Sequence, residues 1–440
     1  MLRIITQLAE AKTELGRIGE RARDEQIKIP EAAVRNILET VKRQGNKALL
    51  DYAKKFDWGQ TLSLGNMRVS GSELDAAYQQ ISKELLDAIQ LAKTNIEAFH
   101  KQHLPQSWVQ FEEDNVVLGK RYTPVDRAGI YVPGGIKSYP STVLTNAIPA
   151  KIARVPQIVM VTPPGGVDSK INPAVLVAAQ EAGIEEIYRI GGALAIAALT
   201  YGTETIPKVD VIAGKGDIEV AIAKKLVYPT VGIDSVGGPP EIIIVADDQA
   251  NPQVLAIDLL AQAEQDPMGA AILLTTSMSL AKKVQYEVEK QLENHPSRIP
   301  TEKAIAHYGL VVVVEYLEEA AELSNLFAPQ KLQLEVAEPW ELLEQIRHAG
   351  AIFLGNSTPK AVGDYLAGPN SNLPTSGSAR YASALGVEYF IKHSSLIEYS
   401  STALKKVSSA IEILALAEGS HSLLHSVRAR SQRQDKQIDK

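Results

Sequence analysis

The sequence predicts an α/β protein of two doubly wound domains, with helical stretches towards both ends. Three observations carry this. Short apolar strands and helices alternate from Val155 to Gly216, the alternation restarts at Glu241 and runs to Gly355, and the flanking stretches read as helix. Alternation of this kind marks βαβ units, because parallel strands need a crossover of a dozen or more residues.

In order along the chain, the first hundred residues read as helix. Pro30 suits a helix start, and Ala33, Ile37, Val41 and Leu49 recur at roughly helical spacing. Ser72 with Asp75 resembles a capping box before LDAAYQQISKELLDAIQLAKTNIEAFH, and residues 115–123 read as strand and turn. Then come the strand IVMVTPP, the helix NPAVLVAAQEAGI, the strand EIYRIG, the helix GALAIAALTYG and the strand and turn VDVIAGKG. The second run holds EIIIVAD (241–247), a helix at 251–265, AAILLTT, the helix SLAKKVQYEVEKQLE, VVVVEY, a strand from Lys331 to Val336 and GAIFLG (350–355). Residues 355–382 are rich in Gly, Pro, Ser and Asn, and so long a loop is usually functional. Residues 403–429 read as helix again. The boundaries drawn are an N-terminal segment 1–28, a first domain 29–127 plus 241–385 with a helical N-terminal part, a second domain 128–240, and a tail 386–440.

Composition narrows the classes. A chain of 440 residues exceeds one ordinary core, and 45% hydrophobic with 22% charged residues is an ordinary globular balance. A net charge of −7 argues against a nucleic-acid partner. No apolar run approaches the roughly 18 residues of a membrane span, and MLRIITQLAEAKTELG does not read as a signal peptide. The absence of cysteine removes disulfides, thiolate nucleophiles and cysteine–zinc sites, and fits a cytoplasmic protein. The tail RARSQRQDKQIDK reads as a frayed end. No GxGxxG, P-loop, HExxH or GxSxG motif is present, and VPGG (132–135) reads as a tight turn.

Taken together, RAGIYVPGG, YPSTVLTNAIPAKIA, GGALAIAALTYGT, DLLAQAEQDP, APQKLQL, GAIFLGNSTPKAVGDYLAGPN, LPTSGSARY and LALAEG occur in one order. From about Ile29 to Arg430 that series resembles histidinol dehydrogenase. The resemblance implies two incomplete Rossmann-like domains of the histidinol dehydrogenase or aldehyde-dehydrogenase-like type. It also implies terminal parts that join a homodimer, and oxidation of L-histidinol to L-histidine with zinc and NAD.

The resemblance places the zinc positions at Gln262, Gln265, Asp364 and Leu423. Gln265 and Leu423 stand where imidazoles belong, and zinc takes a neutral amide poorly. His421 and His425 lie two residues from Leu423, on another side of a helix. Gln330 and Lys331 stand at the positions of the water-activating Glu and the basic His. A glutamine takes no proton, and Lys331 by itself reads as a solvated lysine at a strand start. Substrate positions fall on Pro240, Glu241, Lys360, Ser371 and Glu418, the last of which also reads as a helix-surface acid. NAD positions fall on Tyr131, Leu194 and Asp217; Leu194 replaces an amide, and Asp217 adds a carboxylate that Lys215 could pair at the surface.

These losses gather on chemistry while the fold-shaping residues stay. The expectation is a chain that has lost zinc-dependent histidinol oxidation and acts by binding, as a regulator or scaffold for an unknown protein partner. No resident cofactor is expected: the donor set disfavours zinc, and the lost amide and added carboxylate disfavour NAD. The alternatives are a zinc-free NAD-dependent dehydrogenase of another substrate, with Lys331 as base, and a residual L-histidinol dehydrogenase of histidine biosynthesis.

Overall fold

In chain order the strands are β1 (Arg3–Ile5), β2 (Trp108–Glu112), β3 (Val116–Pro124), β4 (Arg127–Tyr131), β5 (Gln157–Thr162), β6 (Glu186–Arg189), β7 (Val211–Ala213), β8 (Gly232–Ile233), β9 (Glu241–Ala246), β10 (Ala270–Thr275), β11 (Gly309–Val313), β12 (Lys331–Glu335), β13 (Ala351–Leu354) and β14 (Ile391–Glu398). The structure is a computed structural model that describes residues 2–21, 31–55, 60–134, 138–165 and 170–431. Pro30, Gly135 of the VPGG turn and the end of the tail lie outside the described residues.

The chain divides into two units, residues 1–103 with 125–390 and residues 104–124 with 391–440. The first holds two parallel sheets, ordered β6-β5-β4-β7-β8 and β1-β11-β10-β9-β12-β13. Counted within each run, both sheets follow the order 3-2-1-4-5 of a doubly wound layer, with β1 added at an edge of the larger one. The expected fold class is therefore observed. Residues buried on both faces explain why the strands read as continuous apolar runs: Ile242 and Ile244 pack with helices Pro252–Ala263 and Met278–Glu293, while Ile243 and Val245 pack with helices Leu8–Glu20 and Leu317–Phe327.

Caps locate the helix starts. Asn172 and Asn251 each accept a backbone N–H two residues on, and each is followed by a proline at the first helical position. The capping box falls on Ser70 and Glu73 rather than on Ser72 and Asp75. Helix Glu31–Gln44 buries Val34, Leu38 and Val41 in the same cluster as Ala195, Leu199 and Val220. Helix Glu31–Gln44 thus packs on the five-stranded layer, whereas the sequence grouped it with the six-stranded one.

The second unit pairs β14, β3 and β2 as an antiparallel sheet beside helices Ser401–Ala417 and His421–Ser431. The single helix expected over 403–429 is broken at Gly419, whose φ of +68° ends a helix at little cost for glycine alone. No described helix is long and apolar enough to cross a membrane.

Candidate active site

Strand β12 is the axis of the site. Leu332 and Leu334 point into the apolar core, so period two places Lys331, Gln333 and Glu335 together on the opposite face. That face is covered too: Lys331 is 4% exposed, Gln333 1% and Glu335 2%. The reading of Lys331 as a solvated lysine is thereby corrected. Its ammonium lies 2.5 Å from Asp364 Oδ1.

Asp364 sits on the short helix Lys360–Tyr365, within the stretch expected to be loop. Lys360 is one turn earlier and so shares its face. Lys360 Nζ donates to Gln262 Oε1 at 2.8 Å and to Ala261 O at 3.0 Å. Loss of water around the ammonium, then the charge of Lys331, pull the Lys360 pKa down to about 7. Gln262 comes from helix Pro252–Ala263, and its Nε2 is buried without a partner. Deeper along β12, Gln333 Nε2 donates to Asp258 Oδ2 at 2.8 Å and also to Glu335. Burial first, and the nearby Asp258 charge, push the Glu335 carboxyl up to about 7, against the opposing Gln333 hydrogen bond.

This shift has a sign. A carboxyl whose folded pKa is raised favours the fold below its unfolded pKa, near 4.5, and that advantage is lost as pH rises through about 7. Glu335→Gln is expected to gain about 2–3 kcal/mol relative to the parent at about pH 8 and almost nothing at about pH 4. Urea midpoints at the two pH values check this.

Glu241 and Gln330 are buried and bond to each other. Glu241, at the start of β9, is fully buried. Its Oε1 accepts from Arg21 Nη1 and from Ser376 N, each at 3.1 Å, and its Oε2 accepts from Gln330 N at 3.3 Å. The Glu241 N–H donates in turn to Gln330 Oε1 at 3.1 Å. These bonds form a clip holding the end of helix Leu8–Glu20, two strands and the 375–376 turn together. The Pro240 carbonyl accepts from Arg21 and from Ala270 N. Ser371 is half-buried between Asn370, which donates to Thr145 O, and Asn372, which bonds Asn146 and Asp234.

The NAD positions lie at the carboxyl edge of the five-stranded sheet. The Tyr131 hydroxyl accepts from Gly192 N at 3.2 Å, and burial raises its pKa. Leu194 is buried in the apolar cluster and presents nothing to a ligand. Asp217 caps helix Ile218–Val227 by accepting from Val220 N at 3.0 Å. The expected Lys215–Asp217 pairing is thus replaced: Lys215 Nζ donates to Leu373 O at 2.6 Å. Desolvation lowers the Lys215 pKa to about 7. What this edge offers a nucleotide is the N-terminus of helix Gly192–Tyr201, which carries no side-chain cap.

Of the four zinc positions, Gln262 and Asp364 converge, each held by a lysine. Gln265 is exposed in the turn that ends helix Pro252–Ala263. Leu423 is 60% exposed and Glu418 is exposed, both in the second unit. No three His, Asp or Glu among the described residues could hold a metal ion. The donor set does not fit zinc, and no step below runs through a metal. Sequence reasoning missed Asp258 and Glu335 as parts of this region; the only available signal was their polarity within apolar segments.

The family model of histidinol dehydrogenase matches residues 20–431. The chain belongs to the histidinol dehydrogenase family. Histidinol dehydrogenase 2 of Trichormus variabilis is 67% identical over 435 residues, covering 99% of this chain and all of that one. Histidinol dehydrogenase of a Synechococcus species is 63% identical over 436 residues, with 99% and 100% covered. The crystal structure of histidinol dehydrogenase from Elizabethkingia anophelis superposes with a TM-score of 0.91 at 35% identity, covering 100% of this chain and 98% of that one.

These full-length relatives correct two expectations. A chain this similar to proteins named histidinol dehydrogenase is not read as one that has lost oxidation and acts only by binding. The expectation of no cofactor falls with it, since the resemblance that these relatives extend carries zinc and NAD dependence; the likeness speaks for the family and does not place either group on this chain.

Proposed function

We propose that this chain is an NAD-dependent dehydrogenase that oxidises L-histidinol. The observation that carries the reading is the full-length 67% identity to a protein named histidinol dehydrogenase 2. NAD, when bound, supplies the hydride acceptor. The chain must then hold the substrate oxygen and receive its proton. Gln330 can do neither, because its amide is spent on Glu241 and takes no proton. Lys331 and Asp364 are suited to the task. The ammonium spends one N–H on Asp364 and has others to hold a developing alkoxide, while the carboxylate beside it accepts a proton. The test is product analysis: L-histidinol with two NAD and one water, which adds to the intermediate aldehyde and supplies the second carboxylate oxygen, should yield L-histidine and two NADH for each molecule consumed. Absence of any L-histidinol-dependent NADH would overturn the reading.

The second unit supports a homodimer. Phe111 on β2 is 76% exposed, Ile397 on β14 71% and Ile413 on helix Ser401–Ala417 65%. Surface of this kind marks an interaction face. Sedimentation should show a dimer, and Phe111→Asp should shift it towards monomer by at least about tenfold in dissociation constant.

A further inference from the structure

Residues 370–376 follow the helix that carries Asp364, and they are bonded to both parallel layers of the first unit. The first half binds the five-stranded layer. Asn370 Nδ2 donates to Thr145 O, and Asn372 Nδ2 to Asn146 Oδ1 at 3.1 Å, both on helix Pro140–Ile152, which links β4 to β5. Asn372 Nδ2 also donates to Asp234 Oδ2, just past β8. Lys215 Nζ reaches Leu373 O at 2.6 Å. The second half binds the six-stranded layer. Ser376 N donates to Glu241 Oε1 at 3.1 Å, at the start of β9. Pro374 and Leu373 lie against Gly350, just before β13, within 3.1 and 3.2 Å of where a Cβ would stand.

Asp234 joins this segment to the edge where the NAD positions lie. Its carboxylate pairs with the Lys224 ammonium, and both side chains are 2% exposed. Together they hold both backbone groups of Gly214, the residue after β7. Gly214 N donates to Asp234 Oδ2 and Gly214 O accepts from Lys224 Nζ, each at 2.9 Å. Gly214 has a φ of +119°, and a Cβ there would overlap Tyr131 O, so glycine alone lets the chain leave β7 this close to Tyr131. Asn372 therefore touches, through one buried carboxylate, the backbone of the nucleotide edge. In the sequence it stands eight residues after Asp364.

We propose that residues 370–376 are an interlayer strap, and that Asn372 is its positioning residue. By bonding Asp234 it sets the separation between the nucleotide edge and the Lys331–Asp364 pair. Hydride transfer needs the nicotinamide and the alcohol carbon in contact, and a misplacement of about 1 Å costs on the order of 100-fold in rate. The positioning role rests on the dehydrogenase reading; the strap itself does not.

The chain has no cysteine, so two introduced ones take spin labels uniquely. Lys225 on helix Ile218–Val227 and Glu289 on helix Met278–Glu293 are exposed, one over each layer. With Lys225→Cys and Glu289→Cys labelled, and each labelled protein diluted in its unlabelled form, the distance between labels should be narrowly distributed in the parent. It should broaden or shift in Asn372→Leu and in Lys215→Met. After Asn372→Leu, Asp234 keeps its bonds from Lys224, Gly214 N and Ser235 N, so its charge stays paired. If that variant does not fold, Lys215→Met carries the same comparison. Distances unchanged from the parent overturn the strap. Each variant should also lower kcat with L-histidinol by at least about tenfold, while KM for L-histidinol and the calorimetric dissociation constant for NAD hold. Lys215→Arg keeps a donor for Leu373 O and should keep most of the parent's rate. A shifted distance with an unchanged kcat, or a Lys215→Arg rate as low as that of Lys215→Met, overturns the positioning role. No NADH from the parent overturns the dehydrogenase reading and the positioning role with it, and the distances then decide the strap alone.

Discussion

Arg21→Met is expected to destabilise the protein by about 3–5 kcal/mol at neutral pH, the usual cost of stranding one partner of a buried ion pair. Arg21 and Glu241 have side chains 2% and 0% exposed. Arg21 also donates to Met268 O and Ile18 O, both at 2.7 Å, so the substitution frees carbonyls as well as a carboxylate. Burial already pushes the Glu241 pKa up, against the pull of Arg21. Without Arg21 the carboxyl rises further, so the variant regains stability when the group can be protonated. The sign follows from linkage: a raised folded pKa adds stability at low pH that is lost as pH rises. The loss should therefore be smaller at about pH 5 than at about pH 8. Adding Glu241→Gln should recover part of it at about pH 8, since the stranded charge is removed. Urea unfolding of the parent and the two variants checks the series; an Arg21→Met midpoint equal to the parent's at both pH values contradicts the clip.

Lys331→Met is expected to lower kcat by about 100–1,000-fold with little change in KM, the size seen when one donor to a developing oxyanion is lost. Stability should change far less than in Arg21→Met. Asp364 keeps 19% side-chain exposure and can turn to water once its partner is gone. A kcat loss with an intact unfolding midpoint separates a role in chemistry from a structural one. If KM rises and kcat holds, Lys331 binds ground state and transition state alike, and the alkoxide role fails.

Much of this region was legible in the sequence, and the gaps have physical causes. Strand β12 was visible because period two survives in KLQLE, and the same alternation groups Lys331, Gln333 and Glu335 on one face. Alternation does not say whether that face is covered. Helices Pro252–Ala263 and Lys360–Tyr365 cover it, and the second was hidden in a stretch of Gly, Pro and Asn that read as loop. The capping box was misplaced by two residues because Ser70–Glu73 and Ser72–Asp75 both satisfy the same spacing, and only the backbone conformation at Ser70 decides. Lys215 was read against its neighbour Asp217, but a helix N-terminus claims that carboxylate and a carbonyl more than 150 residues away claims the lysine. Glu241 was read as a substrate contact from its motif alone. Its three bonded neighbours, Arg21, Gln330 and Ser376, come from distant parts of the chain and could not be foreseen by spacing.

The two sheets were easier. Strands β5, β7, β9 and β10 are each followed by a helix with a side-chain N-cap, so local signals and the 3-2-1-4-5 order agree. The small strand β1 and the exposed strand β14 lacked that support, one being three residues long and the other exposed along most of its length.

The measurement that bears most directly on the account is the initial rate of NADH formation from L-histidinol and NAD by the parent protein beside Lys331→Met. The account predicts substrate-dependent NADH from the parent and a rate at least about 100-fold lower from the variant. Equal rates from the two proteins would contradict the role given to the Lys331–Asp364 pair, and no NADH from the parent would contradict the proposed activity itself.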